Sequence, residues 1–410
     1  MHSLADLMTI TERHQVVVVG AGIAGMVAAR RLFDRGLDVV VLEGRHRVGG
    51  RLWSHRLPNG EIVELGGEWI STGQDAVMGL VDELGLVLVD TGMDFISRDP
   101  VGGPQLPTTD HARLAEALAR RMGEIGEAAL SSMTAAEMLD GLSERGPAME
   151  VLRSRLQGTA GASLDTMAAA EIGEEFGIGD EGRYVRIEGG NDDLARSLAA
   201  GLDLRHGRVV DTIRQHERAV HVLAGDEEHV GLAVVLAVPL AVLATLRFDP
   251  VLPPLVAATI AALRMGSGAK VAMATQDPPD LFRRQDMDIP AWYWTGLGPT
   301  GAVRRAITGF AGSETGVSAL LADRLGRIRR AAPECDLVGE PVVVDWTADP
   351  LAGGCYSVIG PGQREGLSAL ASPIGRVHLA GEHVNGSGTI DGAIRTGEDA
   401  ARSVASALVF

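Results

Sequence analysis

The chain has 410 residues, of which 46% are apolar and 22% charged, the composition of an ordinary globular protein long enough for two domains. A formal net charge of −17 disfavours nucleic acid or an anionic membrane as partner and suits a cationic small molecule, though acidity also serves solubility. The two cysteines, Cys335 and Cys355, suggest no disulfide framework and fit a reducing compartment. Residues 1–15 carry no apolar signal core, and the longest apolar stretch, 231–246, is interrupted by Pro239, so a cytoplasmic protein with no membrane partner is expected.

Residues 1–13 read as a flexible N-terminus. Residues 15–19 form a β-branched run, the pattern of a parallel strand buried on both faces. Gly20-Ala-Gly-Ile-Ala-Gly25 follows, then a helix of small residues to about Arg35, ended by Gly36, and a second buried strand over 38–42 closing on Glu43. From about 72 to 183 the texture becomes helical: Leu114, Leu118, Met122 and Ile125 recur at helical spacing, and Thr134-x-x-Glu137 reads as a capping box. Gly123 and Gly126 weaken the first of these helices. Strand patterns return at 209–213, 219–223 and 232–238. A second mixed segment, 250–341, holds Lys270 and the cluster Trp292-Tyr293-Trp294. The chain closes with a strand at 377–380, a glycine-rich loop and a helix over 391–408.

Gly20, Gly22 and Gly25 meet the needs of a pyrophosphate site. Gly20 permits the tight turn, Gly22 lets the backbone approach the phosphate, and Gly25 allows close helix–strand packing. The helix N-terminus then offers free N–H groups to the anion. Glu43 ends the next strand, where a carboxylate takes a ribose hydroxyl and repels a 2′-phosphate. These residues define a dinucleotide site without separating FAD from NAD.

The continuation separates them. Arg45-His-Arg-Val-Gly-Gly50-Arg51 and Glu64-Leu-Gly-Gly-Glu-Trp-Ile70 resemble motifs of the flavin-containing amine oxidase family, which includes monoamine, polyamine and L-amino-acid oxidases. The resemblance runs on through Arg186-Ile-Glu-Gly-Gly190, Asp345-Trp346, Gly353-Gly-Cys-Tyr356, Ala380-Gly-Glu382 and Gly388-Thr-Ile-Asp-Gly-Ala393. It implies an α/β fold: a Rossmann-type FAD-binding domain with a parallel sheet, shared with glutathione reductase-like proteins, plus an inserted α+β substrate domain. The FAD domain is expected over 14–71, 184–249 and 342–410, and the substrate domain over 72–183 and 250–341.

The resemblance also implies roles. Arg45, Gly50 and Arg51 lie near the FAD phosphates, and Gly66, Gly67, Glu68 and Trp69 pass the flavin ring. Val210 meets the adenine, Trp346 packs on the flavin edge, and Gly381, Glu382, Thr389 and Ile390 meet the ribityl chain and pyrimidine. Lys270 is the expected catalytic lysine, reaching flavin N5 through a water, although its flanks Ala269 and Val271 would also suit an outward-pointing strand residue. Tyr356 matches one wall of the family's aromatic cage, while Thr389 stands where the second ring is expected. Trp292, Tyr293 or Trp294 supply a ring from elsewhere or belong to the core. Cys355 occupies the position that in mitochondrial-type relatives is bonded to the flavin 8α carbon, so covalent FAD and a buried thiol both stay open. Glu382 is expected on ribityl hydroxyls, and Glu68 either binds the far end of a diamine or is salt-bridged; His383 is a further polar candidate near the ring.

The implied reaction is hydride transfer from the amine α-carbon to flavin N5, giving an imine that water converts to aldehyde or ketone, with O2 as acceptor and hydrogen peroxide as product. Amino-acid oxidation or desaturation of a non-amine substrate on the same fold are the alternatives, and a non-catalytic flavin-binding protein a remote one. An amino-acid oxidase needs a cation for the carboxylate, and none occurs over 65–73. No HExxH, paired CxxC or carboxylate cluster suggests a metal. A homodimer is compatible with the sequence, which leaves oligomeric state open.

Overall fold

A computed structural model of the chain describes residues 10–95, 98–104, 108–172 and 183–408. They form two compact units, one from the described residues of Met1–Leu52, Asp192–Ala262 and Gly366–Phe410, the other from those of Trp53–Asn191 and Leu263–Glu365. Residues 53–71, 184–191 and 342–365, expected in the cofactor domain, thus fall in the second unit, and 250–262 in the first.

The first unit is organised by a five-stranded parallel sheet in the order Asp203–His206, Val39–Glu43, Val16–Val19, Ala233–Leu236, Val377–Leu379. The central strands are valine-rich and buried along their whole length, which is why they read as continuous apolar runs. The helices Ile23–Phe33 and Ile390–Leu408 pack together through small residues: a Cβ on Gly397 would stand 2.4 Å from the Ala24 carbonyl oxygen. A second five-stranded sheet runs Ile10–Arg13, Glu227–Gly231, Val220–Ala224, Thr212–Gln215, Arg247–Asp249. Residues 1–9 of the expected flexible N-terminus lie outside the described residues, and its remainder, Ile10–Arg13, is a paired strand instead.

The second unit centres on a six-stranded sheet, Leu337–Asp345, Gly268–Thr275, Ala306–Gly312, Ala291–Trp294, Arg283–Asp286, Asp99–Val101, antiparallel except for its last pair. The helices Thr108–Ile125, Ala135–Asp140 and Pro147–Ala160 enclose a core that includes Leu114, Leu118, Met138, Leu139 and Leu156. The capping box forms: Thr134 Oγ1 accepts from the Glu137 amide at 3.1 Å, and Glu137 Oε2 accepts from the Thr134 amide at 2.9 Å. The helical expectation for 72–183 needs correction at two strands, Leu88–Asp90 and Asp99–Val101, too short for periodicity to reveal. Its residues 96–97, 105–107 and 173–182 lie outside the described residues.

Candidate active site

In the first unit the glycine loop has the geometry its sequence demands. Gly20 has φ +99° and a Cβ there would lie 2.6 Å from the Ala237 carbonyl oxygen; one on Gly25 would lie 2.0 Å from the Gly20 carbonyl oxygen. Gly22 differs, because a Cβ there would meet nothing within 4 Å. It is the N-cap of Ile23–Phe33 and supplies no side-chain cap, and no acidic residue occupies the first turn. The leading amides are thus left for an anion in open space. Gly50, at φ +58°, brings its backbone against Gly22, and Gly49 donates to the Ala21 carbonyl at 2.8 Å.

Glu43 is buried and accepts two backbone bonds at 2.7 Å, from Ala21 N to Oε2 and from Arg45 N to Oε1. Its carboxylate therefore braces the loop, with lone pairs remaining for a ribose hydroxyl. Val210 is buried close by in sequence to Arg208, whose amide donates to the Glu43 carbonyl at 2.9 Å. Arg51 Nη1 donates to Glu382 Oε1 at 2.7 Å, so the phosphate-side and ribityl-side candidates are brought together. Gly381, at φ +138°, lies against the His383 ring and is fixed by the Thr396 hydroxyl, which accepts from its amide at 2.9 Å. Burial pushes His383 down to about 4, so its ring is neutral at pH 7. Thr389 Oγ1 accepts from the Gly392 amide at 3.0 Å and caps the helix that begins at Ile390. The loops are thus what a pyrophosphate and a polyol chain require, and these residues fit a dinucleotide.

In the second unit Lys270 sits on the strand Gly268–Thr275, 5% exposed, and does not point outward. All three of its N–H donors are engaged: with Glu68 Oε2 at 2.8 Å, Gly66 O at 2.9 Å and Glu64 O at 3.1 Å. Glu68 Oε1 accepts from Trp294 Nε1 at 3.2 Å and lies 3.8 Å from Arg304 Nη2. Glu68 is buried and salt-bridged, the second of its two expected states. The turn 64–68 is gripped along its backbone: Trp346 Nε1 donates to Leu65 O at 2.8 Å, and Asn191 Nδ2 donates to Gly67 O at 3.1 Å and to Glu68 O at 2.7 Å.

Strand alternation in Ala291–Trp294 puts Trp292 and Trp294 on one face and Tyr293 on the other. Trp292 lies 5.2 Å from Trp69 and 4.1 Å from Trp294, centroid to centroid, with Phe95 and Tyr184 extending the cluster. The Lys270 ammonium stands 5.3 Å from the ring centroids of both Trp69 and Trp294. Tyr293 belongs instead to the apolar core behind the sheet, where burial pushes its phenol up. The Tyr356 hydroxyl donates to the Thr159 carbonyl. Cys355 Sγ is half-buried and donates to the Gly266 carbonyl at 3.3 Å.

The site contains groups that sequence reasoning did not single out. Glu64 is fully buried, accepting from Ser54 Oγ at 2.7 Å and Asn191 N at 3.0 Å, and burial raises it to about 7. Arg98 is buried with its guanidinium 3.7 Å over Trp292, and donates to Gln285 Oε1 at 3.2 Å and Thr159 Oγ1 at 3.1 Å. Arg155 is buried too and pushed down to about 10, chiefly by desolvation. Asn191 directly follows the Arg186–Gly190 motif, a signal that could have found it; Arg98 and Arg155 carry none.

A family model described as flavin containing amine oxidoreductase matches residues 23–405, and the chain belongs to this family. An L-amino acid dehydrogenase of Synechocystis is 25% identical over 97% of this chain and 96% of its own length. Human amine oxidase [flavin-containing] B is 26% identical over 97% of this chain and 87% of its own. Among solved structures, cyclohexylamine oxidase from Brevibacterium oxydans superposes with a TM-score of 0.82 at 24% identity, covering 96% of this chain and 99% of that one. The fold is that of the flavin amine oxidases, and the protein is a flavin oxidoreductase by family. No helix among the described residues is long and apolar enough to cross a membrane.

Proposed function

We propose that the protein is an FAD-dependent amine oxidase. The observation that carries the reading is Lys270, buried, fully hydrogen-bonded to the Glu64–Glu68 turn and faced by Trp69 and Trp294, in a chain of this family. When bound, FAD supplies a two-electron acceptor for the C–H bond beside the amine nitrogen. The rest is the work of the chain. The glycine loop, Arg45 and Arg51 hold the pyrophosphate, Glu43 and Val210 the adenosine, and Glu382, Thr389 and Ile390 the ribityl and pyrimidine groups. The aromatic walls (Trp69, Trp292, Trp294 and Tyr356) disfavour a charged ammonium and so favour the neutral amine, whose lone pair drives the transfer. Lys270 holds the Glu64–Glu68 turn at the reacting face and would orient a water there on giving up one of its backbone acceptors, and Trp346 backs the same turn through the Leu65 carbonyl. Thr389 leaves one cage wall without a ring, which widens the slot for substituted amines. The imine product is hydrolysed to aldehyde or ketone, and O2, as electron acceptor, yields hydrogen peroxide.

The test is the visible spectrum of the anaerobic protein before and after addition of amines and amino acids. Bleaching of the oxidised-flavin band by an amine, with recovery in air, is expected; a flavin that no amine or amino acid bleaches overturns the reading. Cys355 is proposed as a covalent tether to FAD; acid-denatured, washed protein that has lost its yellow colour refutes the tether alone.

A second reading, oxidation of an amino acid, is favoured by one observation: Arg98 is a buried cation stacked on Trp292 and bonded to Thr159, the residue whose carbonyl accepts from Tyr356. A relative is named an L-amino acid dehydrogenase. Under this reading amino acids bleach the flavin faster than the amines that lack their carboxylate, and Arg98→Met reverses the preference.

A further inference from the structure

The sequence pattern gave no reason to expect a metal, yet the fold brings His229 beside Glu12 and His14, which are far from it in sequence. The strands Ile10–Arg13 and Glu227–Gly231 pair in parallel with Glu12 opposite His229. His14, two residues beyond Glu12, projects to the same face. The imidazole rings of His14 and His229 lie nearly parallel, 26° apart in plane and 6.0 Å apart in centroid. One donor atom each from Glu12, His14 and His229 lies within 4.8 Å of the others.

His229 is 1% exposed and neither of its ring nitrogens has a hydrogen-bond partner; the buried ring nitrogens of His14 have none either. Four buried imidazole nitrogens without a hydrogen bond in one patch is unusual, because buried polar groups are ordinarily satisfied; three of the four instead face a carboxylate oxygen at 3.4–3.7 Å. The charges around them point the same way. Among the described residues, Glu12 and Asp38 face His14 and Glu227 faces His229, while Arg205 pairs with Glu12 and Asp203 and Arg208 with Glu227. These four carboxylates outnumber the two guanidinium groups paired with them. Arg205 Nη2 lies 3.2 Å from Glu12 but also holds Asp203 through Nε at 2.6 Å, so it stays paired when Glu12 turns to a cation.

We infer that Glu12, His14 and His229 form a binding site for a divalent transition-metal ion of the zinc type, for which two imidazoles and a carboxylate are a matched donor set. His14 Nε2 faces Glu12 Oε2 at 3.7 Å while its Nδ1 faces Asp38 Oδ2 at 3.4 Å, the outer carboxylate that orients a ligating histidine. Glu227 Oε2, 3.5 Å from His229 Nε2, adds a further oxygen. Glu12 and Glu227 are partly exposed, so the ion enters from solvent, and its site lies wholly in the first unit on the sheet that carries Ile10–Arg13. It serves to pin this edge strand to its neighbour, and it is independent of the oxidation chemistry.

The test uses the purified holoprotein, stripped with a chelator and titrated with ZnCl2 by calorimetry, and with CuCl2 by electron paramagnetic resonance. One equivalent of zinc is expected to bind and to raise the melting temperature, and the copper spectrum to show splitting from two nitrogens. His14→Gln and Glu12→Gln, on the more exposed side, and His229→Gln are expected to weaken zinc at least ten-fold while leaving flavin content and its spectrum unchanged. Wild-type protein that binds no zinc, or zinc binding that survives both His14→Gln and Glu12→Gln, overturns the site. A copper spectrum without nitrogen splitting overturns it as well.

Discussion

At the glycine loop of the first unit the groups proposed to meet the cofactor are backbone amides, set among glycines of which several stand where a Cβ would strike a neighbouring carbonyl, and the one side chain that braces it, Glu43, accepts from the Ala21 and Arg45 amides. Around Lys270 in the second unit the backbone is instead the acceptor: the carbonyls of residues 64 to 68 are taken by Lys270, Trp346 and Asn191, and the specificity lies in large buried side chains. The first arrangement is intolerant of added atoms at Gly20 and Gly25 and leans on a single carboxylate, Glu43. The second tolerates shape changes at its edges but depends on a closed account of buried charge, Glu68 against Lys270 and Arg304.

The sharpest break comes from adding one carbon to the loop. Gly25→Ala places a Cβ 2.0 Å from the Gly20 carbonyl oxygen, far inside contact distance, and loss of folded flavoprotein on expression is expected. Gly22→Ala meets nothing within 4 Å, so the flavin-free protein should keep its stability to within about 0.5 kcal/mol. Its flavin retention should nevertheless fall at least ten-fold, because the methyl group occupies the anion's approach. If Gly22→Ala loses stability and flavin together, the division between packing glycine and phosphate glycine fails.

Lys270→Met tests the other region. It leaves Glu68 with Arg304 as its one cation, and removing a member of a buried charge group costs up to about 3–5 kcal/mol. Adding Glu68→Gln should recover neither stability nor rate, since it leaves the buried Arg304 without its carboxylate and does not restore the ammonium. Denaturant unfolding and anaerobic stopped-flow reduction separate the two effects. A double variant that regains rate removes Lys270 from the chemistry.

The same contrast explains what the sequence made legible. The glycine loop, its two strands and Glu43 are contiguous, so spacing alone revealed them, and the capping box at Thr134 and Glu137 is local for the same reason. Motif likeness carried Lys270, Tyr356 and the 64–70 turn, but not the fact that Glu68 would be buried against Lys270, because that depends on which strand lies beside which. Arg98 on Trp292, and Glu12 opposite His229, are products of sheet order: Asp99–Val101 pairs with Arg283–Asp286, and Ile10–Arg13 with Glu227–Gly231. No local pattern encodes such pairings. The difference over Ile10–Arg13 has the same origin, since a short edge strand announces itself only through its partner.

A third change concerns Glu64, whose acid is raised to about 7 from an ordinary value of 4.5, mainly by burial and despite bonds from Ser54 and Asn191. Between those values the unfolded chain has released the proton and the folded protein keeps it, so stability falls as pH rises. The contribution is fully present below about 4.5 and lost by the time pH passes about 7, a change of about 3 kcal/mol. Glu64→Gln should flatten this part of the pH–stability curve and be the more stable protein at pH 8. Parallel curves for the two proteins would show that Glu64 keeps an ordinary acidity.

The smallest effect isolates one bond of the charged network. Trp294 Nε1 donates to Glu68 at 3.2 Å, whereas Trp292 Nε1, equally buried on the same face, has no partner. Trp292→Phe therefore loses only ring surface, and keeps a ring beneath Arg98. Trp294→Phe loses ring surface and a hydrogen bond to a carboxylate, a difference of about 1.5 kcal/mol in urea unfolding. Because the bond runs to the group that holds Lys270, the loss at Trp294 should shrink when Lys270→Met is already present, and the loss at Trp292 should not. Equal losses for the two tryptophans, with no coupling to Lys270, would mean that ring packing rather than the carboxylate network holds this face together.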